Sequence, residues 1–254
     1  MTTPLNVFTY RMPCGNPGDV QRAEASVVDA VALDPTNYPQ AFGVPVTVDA
    51  SSHKLRSIMA GDTGASVSGF YVRPFPSQGN GTDGLGTTTP PSSGIGNRLI
   101  RGYTSALLNG AASAYKDAPV FVRIGNASSG KPIGGVEAAL EQVITSAAGT
   151  NTGNGTVGSV SAGQSVKAGA YVVKFTSSTA FTVTDPSGDS MPVGAAGAAY
   201  SDAQINFTIT AGGTAFAAGD SFTLTVTNNT VQIPNTYFQG PADAYGNTEI
   251  RFQV

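Results

Sequence analysis

The clearest pattern in the chain is an alternation of apolar and polar residues between residues 168 and 226. Four runs place a large apolar residue at every second position, and these are Tyr171–Phe175, Phe181–Val183, Ile205–Ile209 and Phe222–Val226. Successive side chains of a β-strand point to opposite faces, so each run predicts a strand with one buried face. The segment Asp185-Pro186-Ser187-Gly188 has the composition of a tight turn. The pattern therefore predicts a small antiparallel β-sandwich, which we place at residues 156–228.

The remainder of the chain also favours strands. Phe42, Val44, Val46 and Val48 alternate with other residues, and Pro119–Gly125 is rich in β-branched residues. We therefore predict an all-β protein whose base domain, of β-barrel or meander type, is formed by residues 20–146 and 229–254. The sandwich is inserted into this domain after a Gly/Asn/Thr-rich linker at 147–155, and the last strand, 249–254, is expected to rejoin the base domain.

Two segments have compositions that oppose a packed core. Residues 1–19 contain prolines and glycines around a few aromatic side chains, which predicts an extended N-terminal arm lying on its own domain or on a neighbour. Residues 76–97 consist almost entirely of Gly, Pro, Ser, Thr, Asn and Asp, which predicts a long exposed loop. We expect this loop to contact a partner.

Composition narrows the possible functions. Only 11% of the 254 residues are charged, the net charge is −3, and the 13 Lys and Arg are scattered. Direct nucleic-acid binding is therefore disfavoured, because neutralising phosphates requires a basic face. No stretch resembles a signal peptide or the roughly 18 apolar residues of a membrane span, so we expect no membrane association and synthesis in a cytoplasm. A neutral, hydroxyl-rich surface suits packing against other protein.

No constellation of residues suggests catalysis. His53, the only histidine, lies in a polar stretch and is expected to be an exposed loop residue. Cys14 is the only cysteine, which excludes an intrachain disulfide and a cysteine-based metal site. Asp185, Asp189, Asp202 and Asp220 could in principle bind Ca²⁺, but their spacing lacks the EF-hand pattern and aspartate is common in turns. We predict no catalytic, cofactor-binding or metal-binding residues, and no cofactor.

Several motifs resemble those of head-decoration and structural cement proteins of tailed bacteriophages. In the sandwich these are the Tyr-rich first strand, the Asp-Pro-X-Gly turn, and the Phe-X-X-Gly-Asp-X-Phe ending formed by Phe216, Gly219, Asp220 and Phe222. In the base domain they are Gly15–Gly18, Phe42–Val46, Gly69–Arg73, and Pro119–Arg123 before Ile133–Gly135. These motifs cover most of the chain, although they consist mainly of turn glycines and strand alternation.

The resemblance implies a non-enzymatic structural protein. Members of that family bind the outside of an icosahedral shell at junctions between major capsid subunits and stabilise the DNA-filled head. It implies a location on the virion exterior after synthesis in the host bacterium, with the phage major capsid protein as partner and a homo-oligomer, dimer or trimer, on the shell. We predict that the arm and the long loop make the capsid contacts, with Phe8, Tyr10 and Arg11 as anchors, because aromatic residues and Arg are enriched at interface hot spots.

Two other classes of function remain open from the sequence. The sandwich could be a glycan-binding or adhesive module, although Trp is absent and its Phe and Tyr alternate as core residues. A hydrolase with paired carboxylates is the other, but no such pair stands out in this acid-poor chain.

Overall fold

The computed structural model describes residues 14–74 and 89–253, and nearly all the regular structure in these ranges is β. The exceptions are two turns of 3₁₀-helix at Ala23–Ala25 and Gly64–Ser66. The all-β prediction is therefore confirmed. The chain divides into two compact units, which are described separately below. Unit 1 contains the described residues up to Leu140 and from Thr230 onward, and unit 2 is Glu141–Asn229.

Unit 1 opens with eight strands, which are β1 (Val20–Gln21), β2 (Val27–Ala32), β3 (Pro45–Val48), β4 (Leu55–Ser57), β5 (Gly69–Val72), β6 (Ile95–Asn109), β7 (Pro119–Arg123) and β8 (Val136–Glu137). Unit 2 contributes β9 (Gln142–Ala148), β10 (Thr156–Ala162), β11 (Gly169–Phe175), β12 (Ala180–Thr184), β13 (Ser190–Ala195), β14 (Ala199–Ser201), β15 (Ile205–Thr210) and β16 (Ser221–Asn228). The chain returns to unit 1 with β17 (Thr230–Phe238) and β18 (Asn247–Phe252).

Five strands of unit 1 form a closed ring, which we call the first ring. β6 pairs with β18, β18 with β17, β17 with β7, β7 with β8, and β8 with β6, the last pair being parallel. The last strand, β18, pairs with β6 over six residues. Inward-facing side chains fill a single core, including Val120, Val122, Ile233, Phe238, Ile250 and Phe252.

A second ring uses the other half of β6. There β6 pairs with β2 and β5, β5 with β3, and β3 with β4. Leu33, directly after β2, forms a bridge with Leu55 of β4 and so nearly closes the circuit. A separate core packs on these strands and consists of Leu33, Phe42, Val46, Leu55 and Tyr71. The 15-residue strand β6 is thus common to both rings.

β6 bends between the two rings at Gly102. The register against β2 slips beside it, because Val27 pairs with Arg101 and Val28 with Leu99, which leaves a bulge. Gly102 has a φ of +130°, and a Cβ added there would lie 2.2 Å from Ser26 Oγ and 2.5 Å from Ser26 Cα. The Ser26 hydroxyl accepts a hydrogen bond from the Tyr103 amide at 3.1 Å. Only glycine allows this conformation and this close approach.

Unit 2 is a sandwich of a five-stranded sheet, β13-β12-β11-β16-β9, and a three-stranded sheet, β10-β15-β14, in which all pairs are antiparallel. Its four central strands are those that the alternating runs predicted. All seven aromatic side chains of unit 2 are buried, and these are Tyr171, Phe175, Phe181, Tyr200, Phe207, Phe216 and Phe222. The turn at Asp185 forms as expected, since the Gly188 amide donates to the Asp185 carbonyl at 3.0 Å.

Two segment boundaries differ from those drawn from composition. Residues 95–97, assigned to the long loop, begin β6, because they pair with β2 and β5. Residues 76–88 of that loop lie outside the described residues. Residues 141–148 were divided between the base domain and a linker, but β9 pairs with β16 along its whole length in unit 2. Residues 14–19, the described end of the N-terminal arm, pack on unit 1, which is one of the two placements that the sequence left open.

Replacing Gly102 tests the bend in β6. We expect Gly102→Ala to lower the free energy of unfolding, measured by urea titration, by at least about 2 kcal/mol, because both the backbone conformation and the new Cβ are unfavourable. Gly130→Ala is the matched control: its φ is also positive, +72°, but an added Cβ meets nothing within 4 Å. The control should cost about 1 kcal/mol for its backbone alone. Equal losses in both variants would show that the bend does not depend on Gly102.

Candidate functional site

Unit 1 contains a groove of about 290 Å³ with mainly apolar walls. Six of the side chains that line it are Pro17, Phe42, Val44, Ile58, Leu107 and Ile133, and polar atoms come from Gln40, Ser57, Arg73 and Asn109. Both rings contribute, because Phe42 and Val44 precede β3 of the second ring, whereas Leu107 lies on the first-ring half of β6. Concave, largely apolar surfaces with a few polar groups are typical of binding sites.

The groove gathers motifs that are far apart in the sequence. The motifs named above contribute Pro17 from Gly15–Gly18, Phe42, Val44 and Pro45 from Phe42–Val46, Arg73 from Gly69–Arg73, and the whole of Ile133–Gly135. Their glycines and prolines therefore serve one local structure. Gly134, for example, has a φ of +78°, which explains a glycine in this turn.

The segment 14–19 forms one side of the groove through backbone hydrogen bonds. The Gly18 amide donates to the Ser105 carbonyl at 2.8 Å, and the Gly18 carbonyl accepts from the Arg73 amide at 2.9 Å. Gly18 has a φ of +85°, and an added Cβ would lie 2.5 Å from the Cβ of Phe42. Cys14, the first residue of this segment, is buried, and its carbonyl accepts a hydrogen bond from the side chain of Gln21 at 2.8 Å.

Arg73 joins this segment to the opposite wall. Its Nε donates to the Pro17 carbonyl at 3.0 Å, and its guanidinium lies 3.7 Å from the Asp19 carboxylate. The guanidinium also lies over the Phe42 ring, 5.0 Å from the centroid, and Phe42 stacks on Tyr71 at 5.1 Å. One cation thus holds three groove elements by hydrogen bonding, ion pairing and cation–π attraction.

A buried ion pair supports the third wall, Ile133–Gly135. Arg123 of β7 is fully buried, and its Nε and Nη2 donate to the two carboxylate oxygens of Glu137 at 2.5 and 3.1 Å. The backbone of Arg123 also holds the turn, because its amide donates to Gly135 and its carbonyl accepts from Gly134. Breaking such a pair leaves an uncompensated buried charge, so removal of either partner is expected to disturb this wall.

The two side chains considered for catalysis or metal binding, His53 and Cys14, both lie within the described residues. His53 is exposed in the β3–β4 hairpin, as the sequence predicted, and Cys14 is buried. Within residues 14–74 and 89–253, no group of three His, Cys, Asp or Glu side chains could hold a metal ion. No helix in these same ranges is long and apolar enough to cross a membrane.

The aspartates considered as calcium ligands have structural partners instead. Asp220 accepts from the amides of Thr152, Gly153 and Ala217 at 2.9 to 3.0 Å, and these hydrogen bonds lower its pKa. Asp185 accepts from Lys167 Nζ at 2.5 Å, and this hydrogen bond lowers its pKa to about 2. An Asp whose folded pKa is depressed stabilises the fold above the unfolded pKa of about 4, and this contribution is lost as the pH falls toward 2.

The predicted capsid anchors Phe8, Tyr10 and Arg11 lie outside the described residues. They are close in sequence to the groove, because residues 1–13 join the described chain at Cys14, three residues before Pro17. The groove itself was not predicted as a site. Several of its residues belong to the glycine- and proline-containing motifs described above, but nothing local in the sequence shows that these motifs lie together in the fold.

The family of XM1 gp53 minor capsid proteins has a model that matches residues 5–176, which is more than half of the chain. The chain belongs to this family. It is therefore a structural protein associated with a phage capsid and located in the virion, which confirms the coarser part of the prediction from resemblance. Membership of this minor capsid family also indicates a non-enzymatic role.

Other comparisons add little. Two crystal structures of Xanthomonas campestris FlgL, in space groups H3 and C2, each share 27% identity over 35% of this chain. The match spans only 30% and 29% of the respective FlgL chains, and a TM-score of 0.28 in both cases is too low to relate the folds. No curated protein matches the minor capsid protein significantly.

Labelling of Cys14 tests whether Arg73 holds the segment 14–19 in place. We expect Arg73→Ala to raise the rate of Cys14 alkylation by iodoacetamide at least about tenfold, because local opening governs access to a buried group. Cys14 is the only cysteine, so mass spectrometry of the intact protein reports this site alone. Lys54→Ala, in the β3–β4 hairpin, is the control and should label at the wild-type rate. Unchanged labelling of Arg73→Ala would contradict the role given to this arginine.

Proposed function

We propose that this minor capsid protein is a cement or decoration protein. It binds the outer surface of the icosahedral shell at junctions between major capsid subunits and stabilises the DNA-filled head. Membership of the minor capsid family is the observation that carries the proposal. The partner is the phage major capsid protein, and the protein binds the shell as a dimer or trimer after its synthesis in the host cytoplasm.

The groove is the part of unit 1 best suited to this contact. Its walls are apolar, and Leu107 on its lining is 46% exposed. A pocket of this kind takes up an apolar or aromatic anchor from a partner and excludes water around it, which is how interface hot spots obtain most of their energy. We propose that a side chain of the major capsid protein occupies it.

Residues 1–13 and 75–88 extend this proposed interface. They join the described chain at Cys14 and Pro74, which are close in sequence to the groove residues Pro17 and Arg73. Phe8, Tyr10 and Arg11 remain our proposed anchors within the first segment. Several contacts on one molecule, repeated over a shell, add avidity beyond that of a single site.

The burial of the aromatic side chains in unit 2 favours this structural role over glycan binding. Sugar recognition by stacking needs exposed aromatic rings, and all seven in unit 2 are buried. The structure describes this unit in full, so no aromatic side chain of it is left to stack on a sugar.

Co-sedimentation with expanded empty shells of the same phage tests the proposal. Wild-type protein should bind saturably, at a fixed ratio to major capsid subunits. Leu107→Glu should weaken binding at least about tenfold, because a carboxylate in the groove must lose its water on docking. Val193→Glu is the matched control, since Val193 is an exposed apolar strand residue of unit 2, and it should bind normally.

Two deletions complete this experiment. Removing residues 1–13, or replacing residues 76–88 by a short Gly-Ser linker, should weaken shell binding while circular dichroism shows an intact fold. Wild-type protein that stays in the supernatant at every concentration would refute the cement function. Normal binding of Leu107→Glu and of both deletions would leave the function standing but refute the proposed interface.

A further inference from the structure

The outer face of the first ring carries alternating arginine and tyrosine side chains. Tyr103 of β6 lies directly opposite Arg251 of β18, which lies directly opposite Tyr237 of β17. The guanidinium of Arg251 lies 5.3 Å from the Tyr237 ring centroid, and that of Arg22 lies 4.2 Å from the Tyr103 centroid. Arg101 precedes Tyr103 by two residues on β6 and is exposed. We call Arg22, Arg101, Tyr103, Tyr237 and Arg251 the Arg–Tyr band.

Among the residues that the structure describes, two of the band's three cations have no anionic partner. Arg22 pairs with Glu249 at 3.0 Å. Arg101 and Arg251 make no hydrogen bond or ion pair with any residue in the part of the chain that the structure describes, and the buried Nε of Arg251 has no acceptor. The terminal nitrogens of Arg101 and Arg251 are not among the buried unpaired atoms of the described residues, so a carboxylate from a partner can reach them.

Arg101 and Arg251 are cations on a chain whose net charge is −3. A guanidinium fork matches the geometry of a carboxylate, and stacking on tyrosine holds the Arg251 fork in place before a partner arrives. Tyr and Arg are also the residues most enriched in protein interface hot spots. Nucleic acid fits less well, since two unpaired arginines on an acidic chain supply few phosphate contacts.

The band also adjoins the groove. Tyr103, Ser105 and Leu107 occupy alternate positions of β6 and so share one face of it. Ser105 between them is covered by the segment around Cys14 and Gln21. A partner that reached into the groove beside Leu107 would therefore lie within a few residues' length of the band.

We propose that the Arg–Tyr band docks an acidic segment of a neighbouring protein in the capsid, whose carboxylates pair with Arg101 and Arg251. Charge complementarity is the argument for this occupant. The location of the partner in the capsid rests on the proposed function, whereas the carboxylate chemistry of the partner rests on the two arginines alone. An experiment can therefore refute the capsid location without refuting the carboxylate chemistry, and the reverse.

Shell binding at two salt concentrations tests the band first. The double variant Arg101→Gln/Arg251→Gln should bind expanded shells about tenfold or more weakly than wild type at low salt, and its binding should depend less on salt. Lys54→Gln/Lys116→Gln is the control, because it removes the same charge outside the band. If both double variants weakened binding equally, net charge alone would explain the effect and the proposal would be wrong. The proposal would also be wrong if the arginine variant bound shells as tightly as the wild-type protein.

A second measurement does not depend on shells. The arginine Nε–H signals of the full chain are followed by NMR during titration with a glutamate-rich decapeptide. Saturable shifts of the Arg101 and Arg251 signals, with little change for Arg22, support the band even if wild-type protein fails to bind shells. No shift of either signal overturns it. Tighter binding of a 20-base-pair DNA duplex than of the peptide at the same two signals would also overturn it, in favour of nucleic acid.

Discussion

The structure of unit 1 depends on the sharing of one strand, β6, between two rings. A strand of 15 residues cannot follow the curvature of both rings without a break in its pleat. The bulge beside Arg101 and the positive φ of Gly102 supply that break, and Ser26 fills the space that a side chain at residue 102 would need. The groove lies where the two rings adjoin, so its shape follows from the same bend.

The elements that line the groove are held by a few specific interactions. Backbone hydrogen bonds of Gly18 fix the N-terminal side, Arg73 links that side to Phe42, and the buried pair of Arg123 and Glu137 supports the turn opposite. None of these interactions resembles a catalytic device. They preorganise an apolar surface, which lowers the entropic cost of binding and suits a protein that contacts a capsid.

Much of unit 2 could be predicted from its sequence because each strand has one buried face, and burial imposes a period of two. The closure of the first ring could not be predicted, since β8, which completes it, has only two residues and carries no pattern. The end of β9 was assigned to a linker because residues 147–155 are rich in Gly, Asn and Thr, but β9 pairs with β16 along its whole length. The Arg–Tyr band escaped notice because Tyr103 and Arg251 are neighbours only through strand pairing.

The most direct test of the account is electron cryo-microscopy of expanded shells saturated with the protein. The account predicts density on the outer surface, at junctions between major capsid subunits, with the groove and the Arg–Tyr band of unit 1 in contact with the shell. Density on the inner surface, or unit 1 bound with both the groove and the band facing solvent, would contradict it.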